Sequence, residues 1–159
     1  MELNAIFSLD RRYRYLLTRE WDKSLQRVTY IMLNPSTASE NTEDQTSKQC
    51  LFFAKKFGFG SLEVVNLYSL ISTDPKGLKT LMIDPIGEET DKYILQSALN
   101  ADRVIIAWGE KYFFNRRNKV VIEMLKNQGI ELFCLKKAKS GHPRHPSRLE
   151  HEINELIRY

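Results

Sequence analysis

Residues 27–33, RVTYIML, decide the fold of this chain. The run is short, almost wholly apolar, and rich in β-branched and aromatic side chains. It lacks the polar alternation of a strand with one wet face, so it reads as a strand buried on both sides, as in a parallel sheet. Asn34-Pro35-Ser36 ends it at once. Three further runs have the same character: LEVVNLYSL (62–70), RVIIAWG (103–109) and IELFCLK (130–136).

Helical patterns lie between these runs. Residues 44–57, DQTSKQCLFFAKKF, end before Gly58, which suits the left-handed position that follows a helix. Residues 88–100 gather Ile94, Leu95, Ala98 and Leu99 on one side. Residues 111–128 carry Val120, Val121, Met124 and Leu125, with Gly129 as the stop. A last helix is expected from about Ser147, with Leu149, Ile153 and Leu156 at i, i+4 and i+7. Residues 4–21, NAIFSLD-RR-YRYLLTREW, read as a β-hairpin turning near residues 10–11. Strands alternating with helices predict an α/β fold of three αβα layers, with a mostly parallel central sheet of about four strands plus the N-terminal hairpin. No repeat or linker divides the 159 residues, so one domain over 1–159 is the simplest reading.

The totals exclude several classes. No apolar run approaches the roughly 20 residues that span a bilayer. No basic segment followed by an apolar one opens the chain, and the two cysteines, Cys50 and Cys134, fit a reducing compartment. A cytoplasmic, soluble and monomeric protein is the expectation. The cysteines lack the spacing of a zinc or iron–sulfur site, so neither a metal nor a cofactor is expected. The net charge of +4 permits a phosphate-bearing partner. Its distribution is more telling. Residues 136–149, KKAKSGHPRHPSRL, hold Lys136, Lys137, Lys139, Arg144 and Arg148 with no acidic residue. All three histidines, His142, His145 and His151, fall within or just beyond that stretch.

In open α/β sheets, ligands bind beyond the carboxyl ends of the strands. The residues there are Asn34, Pro35 and Ser36 after the first run and Asn66 within the second. Trp108 and Gly109 follow the third, and His145, Pro146 and Ser147 the fourth. Each has a structural alternative. Asn-Pro-Ser is a turn with Ser36 or Thr37 as a helix cap, Asn66 is a hydrogen-bonded core amide, and Trp-Gly simply ends a strand. His-Pro-Ser then leads into a capped helix. Their recurrence at one edge of the sheet favours a site.

The ordered set LNPS, VVNLYSL, AWGEKYFF and HPSRL resembles the uracil-DNA glycosylase superfamily over roughly residues 27–157. The wider pattern MLNPSTA…VVNLYSL…TDP…AWG…GHPRHPSRL also resembles a family of small phage and bacterial proteins of unknown function. The first resemblance implies hydrolysis of a pyrimidine N-glycosidic bond through an oxocarbenium-like transition state. It implies that Asn34 orients the attacking water, that His145 donates to the base oxygen, and that Asn66 reads the pyrimidine edge. Ser36 stands where the strict uracil enzymes carry a bulky tyrosine, so thymine or a larger 5-modified base is admitted. Pro35, Trp108, Gly109, His142 and Ser147 complete the nucleotide pocket. Arg144 and Arg148 meet phosphate, and Leu149 fills the gap left by a flipped base. The chain departs from the pattern in having Asn rather than Asp at 34 and Arg148 in place of proline. Asp44 is the nearby carboxylate that replaces the missing base. Nucleic acid or a nucleotide is the expected partner, with no membrane and no obligate protein partner. The alternative is a non-catalytic nucleobase or nucleic-acid binding module.

Overall fold

The computed structural model describes residues 1–80 and 82–159. Among the described residues, seven strands form one mixed sheet: β1 (Glu2–Phe7), β2 (Arg14–Glu20), β3 (Arg27–Met32), β4 (Ser61–Asn66), β5 (Arg103–Ile106), β6 (Leu132–Cys134) and β7 (Ile157–Arg158). Their order is β1-β2-β4-β3-β5-β6-β7. The four expected strands are its centre and run parallel, with Met32 opposite Asn66 and Ile31 opposite Ile106.

The sheet is larger than expected. The N-terminal hairpin is not an appendage. β2 pairs antiparallel with β4, Leu17 opposite Val64, and so extends the sheet at one edge. At the other edge β7 pairs antiparallel with β6.

Three α-helices of the described residues cover the faces: α1 (Gln45–Lys56), α2 (Thr90–Asn100) and α3 (Arg117–Asn127). Along β3 the side chains alternate between layers. Val28, Tyr30 and Met32 pack with Cys50, Phe53 and Ala54 of α1. Ile31 packs with Ile94 and Ala98 of α2 and with Val121 and Leu125 of α3. α1 lies alone on one face and α2 and α3 on the other, an α/β arrangement; three of the six strand pairings are antiparallel, so the sheet is mixed where a mostly parallel one was expected. Gly58 and Gly129 follow α1 and α3 at φ of +81° and +73°, the left-handed conformation that closes a helix.

Two helix expectations need correction. α3 starts six residues later than the sequence pattern suggested, because Tyr112, Asn115 and Arg116 adopt positive φ and cannot extend it. The last expected helix does not form. Residues 147–156 cross the outside of α1 as turns, with Arg148 at φ +62°. Carbonyls that would close a helix are taken instead by α1: Gln49 Nε2 donates to Pro146 O (3.0 Å) and Leu149 O (3.3 Å), and Lys56 Nζ to His151 O. His151 stacks on Phe52, ring centroids 3.8 Å apart, and its Nε2 meets Gln49 Oε1 at 2.7 Å. Gln49 uses its amide hydrogens on carbonyls, so Oε1 accepts and His151 donates. No helix of the described residues is long and apolar enough to cross a membrane.

Candidate functional site

From β3 the chain passes through α1 to β4 on one side. The next parallel strand, β5, lies on the other side of β3 and leads to α3 on the opposite face. The loops leaving β3 and β5 therefore diverge, and a crevice opens between their carboxyl ends. A cleft of about 450 Å³ lies there, with Leu33 and Asn34 on the β3 side and Trp108 and Gly109 on the β5 side. Below it is a niche of about 40 Å³ lined by Arg14, Pro35, Asp44, Cys50 and Asn66 among others. Asn34, Ser36, Thr46 and His145 line both.

Asn34 is fixed by its backbone surroundings. Its Nδ2 donates to Ser72 O (2.8 Å) and Pro35 O (3.1 Å). Both partners are carbonyls, which settles the amide orientation and leaves Oδ1 as its free acceptor. The following loop is held by α1. Asp44 caps that helix, accepting Ser47 N on Oδ1 (2.8 Å) and Ala38 N on Oδ2 (3.3 Å). Ser47 Oγ accepts Asp44 N in return (2.9 Å), completing a reciprocal cap. The cap expected at Ser36 or Thr37 thus falls on Asp44. Ser36 is left free to line both cavities.

Two buried arginines of β2 hold the same loop from the sheet side. Arg19, fully buried, pairs with Glu43 and donates to Ser39 O (2.5 Å) and Thr42 O (3.2 Å). Arg14, 4% exposed, donates from Nη1 to Ala38 O (3.0 Å). Burial pushes the Arg14 pKa down to about 10, partly opposed by the Asp44 charge.

Among the described residues, four buried side-chain atoms find no partner within the protein: Arg14 Nε, Glu43 Oε2, Asn66 Oδ1 and Trp108 Nε1. Three of the four belong to residues that line the niche or the cleft. Asn66, the last residue of β4, is 2% exposed, and Trp108 is 1% exposed. A buried polar atom without a partner costs on the order of 1–3 kcal/mol. Such atoms are rare in folded proteins.

His145 closes the site from the opposite loop. Ser147 N donates to its Nδ1 (3.2 Å), so in the neutral ring the proton sits on Nε2, which is then a donor. Burial lowers its pKa below the ordinary histidine value, while Asp44 acts to raise it. The ring is thus neutral near pH 7. Its loop is anchored to the end of β5 by Gly109 N donating to Pro143 O (3.0 Å). Gly109 has φ +85°, and a side chain there would be strained and would lie against His145.

Ten of the thirteen residues expected at the site are brought together. Asn34, Ser36 and His145 line both cavities, Pro35, Asp44 and Asn66 the niche, and Trp108, Gly109, Arg144 and Ser147 the cleft. The other three lie elsewhere. His142 packs edge-on against Phe113, ring centroids 5.1 Å apart. Arg148 is exposed and lines neither cavity. Leu149 is 4% exposed in the core beside α1, where it has no free side chain to insert into a base stack. Arg14 was not foreseen. β2 carries a bulge: Ile6 pairs with Leu16 and Phe7 with Arg14, so Tyr15 is an extra residue. The bulge turns Arg14 onto the face of Leu17 and Arg19, where simple alternation would have put it opposite. Among the described residues, no group of three or more His, Cys, Asp or Glu side chains is placed to hold a metal ion. Burial raises the Cys50 thiol well above its ordinary pKa, so it does not ionise to a nucleophile near neutral pH.

The chain belongs to the family described as "Protein of unknown function (DUF1643)", whose profile matches residues 14–147. That span includes the niche, the cleft and the loop of His145. No curated protein and no solved structure matches the chain.

Proposed function

We propose that this member of the DUF1643 family takes a pyrimidine nucleotide into the cleft and hydrolyses its N-glycosidic bond. The observation that carries the reading is that two buried, unpartnered atoms face the two connected cavities, Asn66 Oδ1 at the niche and Trp108 Nε1 at the cleft. One is an acceptor and one a donor, and His145 Nε2 adds a second donor. A pyrimidine imide offers one ring N–H and two carbonyl oxygens, so it can use one acceptor and two donors. The resemblance to uracil-DNA glycosylases belongs to this reading and supports it through the motif residues alone.

The roles follow from the chemistry. Charge builds on the departing base, and His145 Nε2–H is a neutral donor suited to its oxygen. Asn34 Oδ1 is an acceptor held rigidly by its own amide bonds, able to orient a water but not to take its proton. Asp44 supplies negative charge beside a sugar that becomes oxocarbenium-like. Ser36 is small and leaves room for a 5-substituent. Arg144 and Lys111, both on the cleft, meet phosphate.

A second reading has its own support. The Asp44 carboxylate already accepts two backbone N–H groups, and the amide at position 34 is no general base. Such a site binds a nucleotide without turning it over. An abasic-site assay separates the two. Single- and double-stranded oligonucleotides carrying uracil, G·T mismatches and 5-modified pyrimidines are treated with wild type, Asn34→Ala and His145→Ala. Hydrolysis predicts abasic product from the wild type, falling at least about a hundredfold in each variant. No product on any substrate removes the hydrolase and leaves the binder.

A further inference from the structure

Beside the cleft runs a second depression of about 320 Å³, lined by Pro75, Lys76, Tyr112, Phe113 and Phe114. It shares Pro75 and Tyr112 with the cleft, so the two are continuous across those residues. Resting on the nucleotide reading above, we infer that this groove is a subsite for the nucleotide flanking the one in the cleft, and that the ligand is single-stranded nucleic acid rather than a free nucleotide.

Three observations carry this. First, the groove is aromatic, and a base released from its neighbours has a π-face that stacks on such a surface whatever its sequence. Second, the segment is preset. Tyr112, Asn115 and Arg116 all have positive φ, at 72°, 51° and 56°. For residues with a β-carbon this conformation is costly and persists only where the surroundings enforce it. Within this segment, Phe114 is pinned by the fully buried Tyr68. Its hydroxyl donates to Phe114 O (3.1 Å) and accepts Phe114 N (2.9 Å), and its ring stacks on Phe114 at 4.9 Å. Tyr112, two residues before Phe114, is 41% exposed at the junction of cleft and groove. Third, the charges suit a phosphate backbone. Lys76 lines the groove, while Lys111 and Arg144 line the cleft. None of the three forms an ion pair among the described residues. The one carboxylate lining the cleft, Glu110, already accepts Ser140 Oγ (2.6 Å).

Calorimetric titration with thymidine 5′-monophosphate and with the trinucleotide of thymidylate tests this directly. The wild type should bind the trinucleotide between about fivefold and a hundredfold more tightly, the size of one base–aromatic stack. Tyr112→Ala should bring that ratio below about twofold, and Tyr112→Phe should retain it. Lys76→Glu should narrow the ratio as well and serves if the alanine variant fails to fold. A wild-type ratio near one, with the monophosphate bound, overturns the flanking subsite and leaves the nucleotide reading standing. A ratio that survives Tyr112→Ala overturns it too. Absence of binding by either ligand overturns both.

Discussion

Asn66 and His145 are the residues at which the proposed site can be tested through stability. Asn66 is buried with an unpartnered Oδ1, a cost with no return within the folded chain. Replacing it by the similarly sized Leu removes that cost. Asn66→Leu should therefore melt within about 1 kcal/mol of wild type, or above it, while nucleotide binding is lost. A loss of about 3 kcal/mol would mark Asn66 as a structural amide instead. For His145 the folded pKa lies below the unfolded one, because burial disfavours the charged ring. The folded state then binds fewer protons, so the stability is complete above the unfolded value and falls away as pH drops towards the lowered one. Thermal unfolding between about pH 5 and pH 8 should show wild type weakening on the acid side more than His145→Asn. Parallel curves would place the ring in a more open setting. Both residues were visible in the sequence, since a polar side chain inside or just after an apolar run has few explanations. Arg14 was not, because the bulge at Tyr15 that turns it inward leaves no mark in the alternation of β2.

At the scale of elements, α1 ties the two halves of the site together. Its N-cap, Asp44, shapes the loop after β3, and its fifth residue, Gln49, holds the loop after His145. Capping and chemistry at Asp44 are separable. Asp44→Ala should lower stability by about 1 kcal/mol, whereas Asp44→Asn keeps a good cap and should cost only a few tenths. If the charge assists cleavage, Asp44→Asn still slows abasic-product formation about tenfold or more. An unchanged rate would restrict Asp44 to capping. The helix and strand cores were legible because periodicity and length are local. The ends were less so. Leu149, Ile153 and Leu156 have helical spacing, yet the carbonyls of Pro146, Leu149 and His151 are better served by Gln49 and Lys56 than by a terminal helix of their own. Periodicity alone cannot report such a tertiary competitor.

The whole molecule explains why these groups meet. The order β4-β3-β5 sends the loops after β3 and β5 to opposite faces, and this divergence opens the cleft. The parallel centre could be read from the four apolar runs. The seventh strand and the entry of the hairpin into the sheet could not, because strand order depends on pairings between distant segments. The basic stretch also reads differently in three dimensions: Arg144 joins the cleft, while Arg148 faces away from it. The central claim is that the orphaned donors and acceptors at this edge are ligand groups. The sequence has only two tryptophans, Trp21 and Trp108, so the indole N–H region of a ¹⁵N NMR spectrum offers a test with an internal control. Titration with thymidine 5′-monophosphate should shift the Trp108 Nε1–H and the Asn66 side-chain amide together and leave Trp21 in place. Shifts confined to surface lysines, with both of those signals unmoved at saturation, would contradict the account.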